Sequence, residues 1–235
     1  MNNPAPPHSR ASLQRVLAWF SAAFPVGAFS YSHDLETAAE SGQVRDRASL
    51  QRWIAAMLAH GAGRIDGDIL RDAHVAGSAA DLAALMTVNR RGVAFRATAE
   101  MMLEATAQGE AFLATCGAAW PDPFLDRWAA ILGDDSESAC YSAAVGATTA
   151  RTGIPLWALT AYLQATASNL VSAGLRLGII GQTDGQRILA ALEPVVDAAV
   201  AASLSRDASA FGSASFAVEL ASMAHEIQHT RLFRS

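Results

Sequence analysis

Apolar side chains recur at helical spacing along nearly the whole chain, and nowhere do they alternate over the length of a strand. Leu13, Val16, Leu17 and Phe20 share one face behind Ser12, a residue type that caps helices. Leu50, Trp53, Ile54, Met57 and Leu58 repeat the pattern, and Gly61 and Gly63 end it. The same reading predicts helices over residues 67–76 and 80–89. A long helix is expected over 93–116, carrying Phe95, Met102, Ala105 and Phe112, and a short one over 124–132 behind Pro121 and Pro123. The small residues of 137–151 suit close helix packing. Pro155 fits a first helical turn. Thr183 and Gln186 read as a capping box ahead of the Ile188, Leu189, Leu192 and Val196 face, which Pro194 is expected to kink. A last helix is predicted over 216–227. The expected fold is all-α, with about ten helices in a single domain over 10–235 and no sheet.

Between Arg151 and Arg176 no residue is charged, a run long enough to cross a bilayer. It nevertheless carries Pro155, Gln164, Thr166, Ser168, Asn169 and Ser172, while Leu156, Leu159, Leu163, Leu170 and Leu177 keep helical spacing. That pattern describes a buried core helix, with no membrane association. The opening MNNPAPPHSR has three prolines and no apolar stretch, so it is not a secretory signal. Residues 1–9 read as a disordered lead-in, and a cytoplasmic location is expected.

The chain contains no lysine; all 17 of its Lys+Arg residues are arginine. A P-loop NTPase and Schiff-base or pyridoxal-phosphate chemistry are thereby excluded, because each needs a lysine amine. The net charge of −5, without a dense basic stripe, supplies no electrostatic basis for nucleic-acid binding. Cys116 and Cys140 are too few and too far apart for a disulfide framework or a metal-binding pair, and read as small buried residues.

The ending HEIQHTRLFRS, residues 225–235, contains H-E-x-x-H. Two histidines four apart on a helix can share a zinc ion, with Glu226 as general base on its bound water. The downstream third ligand is missing: no acidic residue follows Glu226, and Ser235 stands where a metzincin histidine would fall. A zinc metallopeptidase remains an alternative reading, as does a generic helical interaction module. The apolar pair Leu232 and Phe233, flanked by Arg231 and Arg234, is unusual for a terminus. Burying both side chains is worth on the order of 3–6 kcal/mol. Residues 228–235 therefore read as a docking tail, on this domain or on another chain.

That ending also resembles the C-terminal signature of the urease accessory protein UreF family, H-E-x-Q-[YF]-[ST]-R-L-F-R-S. FPVGAFSYSHDLE, residues 24–36, is similar to the family's L-P-V-G-G-F-S-Y-S-x-G-L-E, and GQTDGQRIL, residues 181–189, is a third match in the family's order. The chain departs from the pattern at Ala28, His33, Asp34 and His229, where the family commonly has glycine, a glutamine-like residue, glycine and an aromatic residue. On the resemblance, His229 completes H-E-x-x-H by coincidence. The resemblance implies an all-helical, non-enzymatic adaptor that dimerises. It would work with UreD (UreH in some systems) and the GTPase UreG to couple GTP hydrolysis to nickel insertion into apo-urease. No catalytic residue, resident metal ligand or cofactor is then expected.

Two surfaces follow from it. His225, Glu226, Arg231, Leu232, Phe233, Arg234 and Ser235 are expected on the UreD/UreH side, and Phe29, Tyr31, Ser32 and Glu36 on the UreG side. Phe29 fits a core position as readily as a surface one, whereas Tyr31 is expected to show its hydroxyl at the surface. Ser30 or Ser32 can cap the following helix, with Asp34 or Glu36 near its positive end. Pro25, Gly27, Gly181, Gln182, Thr183 and Gln186 are expected to be structural.

Overall fold

A computed structural model describes residues 9–234, so the expected lead-in (Ser9 excepted) and Ser235 lie outside the described residues. Eleven α-helices follow one another: α1 Arg10–Trp19, α2 Leu35–Glu40, α3 Arg47–His60, α4 Ala62–Ser78, α5 Leu82–Ala94, α6 Ala99–Ala119, α7 Pro123–Asp134, α8 Tyr141–Arg151, α9 Ala158–Arg176, α10 Gln182–Ser205 and α11 Phe216–His225. The fold is all-α, and no strand occurs among the described residues.

Local chemistry sets several of the boundaries. Asp46 caps α3 in a reciprocal box with Ser49, and Asp81, Thr98 and Asp122 accept amide hydrogens at the starts of α5, α6 and α7. Pro123 occupies the first turn of α7, where its missing N–H costs nothing. Thr98 also explains why the long helix expected over 93–116 is two. It takes extended backbone and accepts from the Met101 amide at 3.2 Å, so a new helix starts there. Phe95 leaves the core at the break and meets Phe211 edge-on, with ring centroids 4.6 Å apart. The expected capping box at Thr183 is absent: α10 starts at Gln182 behind Gly181, without a side-chain cap, and runs on through Pro194. In α1 the cap is Ser9, not Ser12. The buried face is Ser12, Val16 and Trp19, leaving Leu13 and Leu17 exposed. Trp19 sets that rotation by packing edge-on against Phe112 and Trp120.

The buried residues form one continuous cluster, with α4 and α8 at its centre. Every residue of α8 from Ser142 to Thr149 is buried, so this helix is enclosed on all sides. Its small side chains let two backbones touch. A Cβ on Gly146 would fall well inside van der Waals contact with the Leu70 carbonyl oxygen, and one on Gly77 would lie 3.1–3.2 Å from Ala150 and Ala147. Between these helices Asp66 of α4 accepts from Arg96 (2.6 Å), Ser142 (2.9 Å) and Tyr162 (3.0 Å), tying α4, α8 and α9 to the break after α5. Beside the carboxylate, the Arg96 guanidinium stays firmly charged despite its burial.

The uncharged run from Arg151 to Arg176 supplies α9, whose buried positions include Leu159, Leu163, Leu170 and Val171. By length and composition, α10 is the one helix among the described residues that could cross a membrane. Its stripe of Gly185, Ile188, Leu192, Val196, Ala199 and Ser203 faces α9, α3 and α4, and Arg187, Glu193 and Asp197 lie on the opposite, exposed face.

Two glycine substitutions separate close packing from helix propensity. Gly146→Ala is expected to lower stability by about 1–3 kcal/mol through overpacking. Gly133→Ala, in α7 with no neighbour near its would-be Cβ, is expected to raise it by about 0.4–1 kcal/mol. Urea denaturation of both variants checks the contrast.

Candidate partner-docking site

The two motifs at opposite ends of the chain meet in one place. Pro25 and Gly27 break the chain after α1, Gly27 taking φ 74° ahead of a single 3-10 turn over Ala28–Ser30. The next turn places Glu36 in the first turn of α2, and this carboxylate holds the C-terminal tail. Its Oε1 accepts the Leu232 amide at 2.7 Å and its Oε2 the Phe233 amide at 3.0 Å. The Arg234 amide adds a bond to the Ser30 carbonyl at 2.9 Å. The tail thus runs alongside the N-terminal motif, and the two segments expected on separate surfaces adjoin.

Aromatic rings and arginine complete the clamp. The Arg176 guanidinium lies 4.0 Å from the Phe29 ring centroid and 4.2 Å from that of Phe233. It also donates to the Phe29 carbonyl. Phe233 is only 4% exposed, so the peg fills a socket on its own domain. Arg231 reaches back to Glu100 and donates to the carbonyls of Gln228 (2.8 Å) and Glu226 (2.6 Å). The Glu226 carboxylate accepts from the Ala99 amide at the start of α6, where a negative charge suits the helix dipole. Thr37 donates to Gln228 at 2.8 Å.

Several expectations about individual residues change. Tyr31 is 3% exposed and Ser32 is fully buried, so neither offers a surface. Glu36 is turned inward by the tail amides it receives. Of the four residues expected on the UreG side, Phe29 alone is exposed, at 68%. Neither Ser30 nor Ser32 caps α2. Asp34 holds that position with φ 63°, without a capping bond, while the Ser32 hydroxyl lies 3.5 Å from the Glu36 amide. Gly181, Gln182, Thr183 and Gln186 sit exposed at the start of α10.

The peptidase reading fails on geometry. α11 ends at His225, and Glu226 begins the turn that leaves it. His225 is fully buried with Nδ1 2.6 Å from Glu100, whereas His229 sits in an exposed bend beyond the helix. The two imidazoles therefore do not share one helical face, which zinc peptidase chemistry requires.

Outside the clamp, α11 presents Phe216, Leu220 and Met223 at 75%, 65% and 52% exposure, and Ile227 in the turn after it is 80% exposed. The i, i+4, i+7 spacing of the three helical residues makes one apolar stripe on the face opposite Val218, Ala221, Ser222 and His225. Leu232 of the tail, 63% exposed, adds to the exposed apolar side chains of this C-terminal region. The same pattern was open to sequence reading in the predicted last helix. Glu100 and Arg176 carried no such signal, because their partners lie more than fifty residues away in sequence.

The UreF family model matches residues 44–193. The chain belongs to the UreF family. The urease accessory protein UreF of Rhodopseudomonas palustris strain BisB5 is 48% identical over 233 residues, covering 99% of this chain and 95% of that one. That of strain HaA2 is 49% identical over 226 residues (96% and 94%), and that of Azorhizobium caulinodans 46% over 232 residues (98% and 97%). The range matched by the family model lies between the two motifs that form the clamp. In this UreF-family chain the clamp therefore joins segments from either side of it.

The departures at His33 and Asp34 occupy consecutive left-handed positions, φ 49° and 63°. Burial disfavours a charged His33, but the Glu104 carboxylate, 3.0 Å away, outweighs it and raises the imidazole pKa to about 9. Burial, with a smaller push from the Glu104 charge, carries Asp34 up to about 7 against the opposing pull of His33.

Two measurements test this arrangement. A histidine pKa raised on folding gives stability that is complete below the unfolded value of about 6.5 and lost as pH rises through about 9. The difference in unfolding free energy between the parent and His33→Gln, measured by urea denaturation, is therefore expected to shrink from pH 6.5 to 9 by up to roughly 3 kcal/mol. For the clamp, Glu36→Ala is expected to speed amide exchange at Leu232 and Phe233 by about tenfold or more, because bonds to a charged acceptor are lost.

Proposed function

We propose that this chain is a non-enzymatic adaptor of urease maturation. With UreD (UreH) and the GTPase UreG it supports GTP-dependent nickel insertion into apo-urease, in the cytoplasm. One observation carries the reading: the C-terminal region combines the exposed apolar stripe of α11 with exposed Leu232 and Arg231, on a tail already ordered by the Glu36 clamp. Pre-ordering matters because a free tail loses conformational entropy on docking, and here that cost is met within the chain. An aromatic and aliphatic surface with arginine at its edge has the composition of a protein interface. The absence of lysine fits the same reading, since the GTP chemistry must then belong to another chain.

The family membership supports the urease link, and the relatives' shared description as urease accessory proteins points the same way. UreD/UreH is assigned to the α11 and tail surface and UreG to the neighbourhood of Phe29. The chain is proposed to act as a homodimer, which light scattering on the purified protein tests directly.

Co-purification with UreD and UreG distinguishes this adaptor from a generic helical interaction module. Phe233→Ala, or truncation before Arg231, is expected to abolish capture of UreD while circular dichroism shows nearly unchanged helix content. Leu220→Asp is expected to do the same without touching the clamp. Full capture by the truncated chain would refute the assignment of the tail.

A further inference from the structure

Beneath the tail, four carboxylates gather with few counter-charges: Asp34, Glu36, Glu100 and Glu104. Glu36 is occupied by the tail amides, Glu104 pairs with His33, and Glu100 receives Arg231 on one oxygen and faces His225 Nδ1 at 2.6 Å with the other. Asp34 is the exception. It is completely buried, and neither of its oxygens makes a hydrogen bond of normal geometry. Ser222 lies near enough to favour its ionised form, but that hydroxyl is engaged with Thr98 at 2.6 Å. His225 is equally buried, and its Nε2 has no hydrogen-bond partner, the nearby Glu36 Oε2 standing 3.5 Å away. A buried carboxylate and a buried imidazole nitrogen left open side by side are costly unless something satisfies both.

An oxygen of Asp34, an oxygen of Glu100 and a ring nitrogen of His225 lie within 4.8 Å of one another. From this convergence we propose that Asp34, Glu100 and His225 form a binding site for a divalent transition-metal ion. One imidazole with carboxylates selects ions of borderline softness, Zn²⁺ or Ni²⁺, over Mg²⁺ and Ca²⁺, which prefer all-oxygen shells. A doubly charged cation offsets the local excess of carboxylates, gives Asp34 a partner and competes with the hydrogen bond between His225 and Glu100. The site is buried beneath the tail, on the side of α11 away from the apolar stripe, and it does not use His229. It is independent of the adaptor reading: an ion can bind here whether or not the surface above captures a partner.

Calorimetric titration of the chelator-stripped full chain, with Zn²⁺ and separately with Ni²⁺, tests the site. Saturable binding of one equivalent is expected for each ion. Asp34→Gly is the decisive variant, because φ 63° suits glycine and the metal-free protein should melt no lower than the parent. It is expected to weaken binding by at least about tenfold, with Asp34→Asn and His225→Gln behaving alike. His229→Ala is expected to leave binding unchanged. No saturation by about 1 mM metal, undiminished binding in Asp34→Gly, loss in His229→Ala, or equally tight Ca²⁺ binding would each overturn the proposal.

Discussion

The close approach of α4 and α8 is the constraint on which the remaining architecture depends. Gly146 and Gly77 let two backbones meet where any side chain would hold them apart. Because α8 is then enclosed on every side, its neighbours must cover it, and α5, α6 and α7 do so along with α4. The same proximity brings Ser142 of α8 onto Asp66 of α4, where Arg96 and Tyr162 also converge. A carboxylate buried with three donors is tolerable only as a complete set, since removing one leaves charge or hydrogen-bonding capacity unsatisfied in a low-dielectric interior. Small residues and one satisfied ionic centre thus set the relative positions of α4, α8 and α9.

That framework decides where the chain ends can go. α2 and α11 pack on each other at its edge, and α9 ends beside them. Arg176, the last residue of α9, therefore stands where Phe29 and Phe233 can stack on either side of it. Glu36 is held by the first turn of α2, facing the tail. Backbone amides are a choice of partner that tolerates side-chain change, so the clamp fixes the tail's path while leaving the Leu232 side chain exposed. The result is a tail whose inner side is tied to the fold and whose outer side exposes Leu232.

Much of the fold was legible in the sequence because helical periodicity is a local property. Helices existed where apolar spacing placed them, with boundaries moved by caps: Thr98 splits one expected helix, and another is capped at Gly181, two residues ahead of the expected Thr183. The rotation of α1 was not legible, since Leu13 and Leu17 satisfy helical spacing as well as Val16 and Trp19 do, and only the Phe112 and Trp120 rings select the latter face. The site was half legible. Both motifs were visible as unusual stretches, and Leu232 and Phe233 stood out as apolar residues at a terminus. Which of the pair was buried, and that Tyr31 and Ser32 face inward, depended on neighbours far along the chain.

The sequence by itself determined that this is a helical protein without lysine-dependent chemistry, that it ends in an arginine-flanked apolar tail, and that it carries the motifs of the UreF family. Those properties reside in residue type and short-range spacing. Tertiary structure alone decided that the two terminal motifs form one clamp, that His225 is a buried partner of Glu100 instead of half of a zinc pair with His229, and that Asp34 lies enclosed beside it. Each of these depends on groups separated by about a hundred residues or more, and burial is what makes their charges and hydrogen bonds consequential.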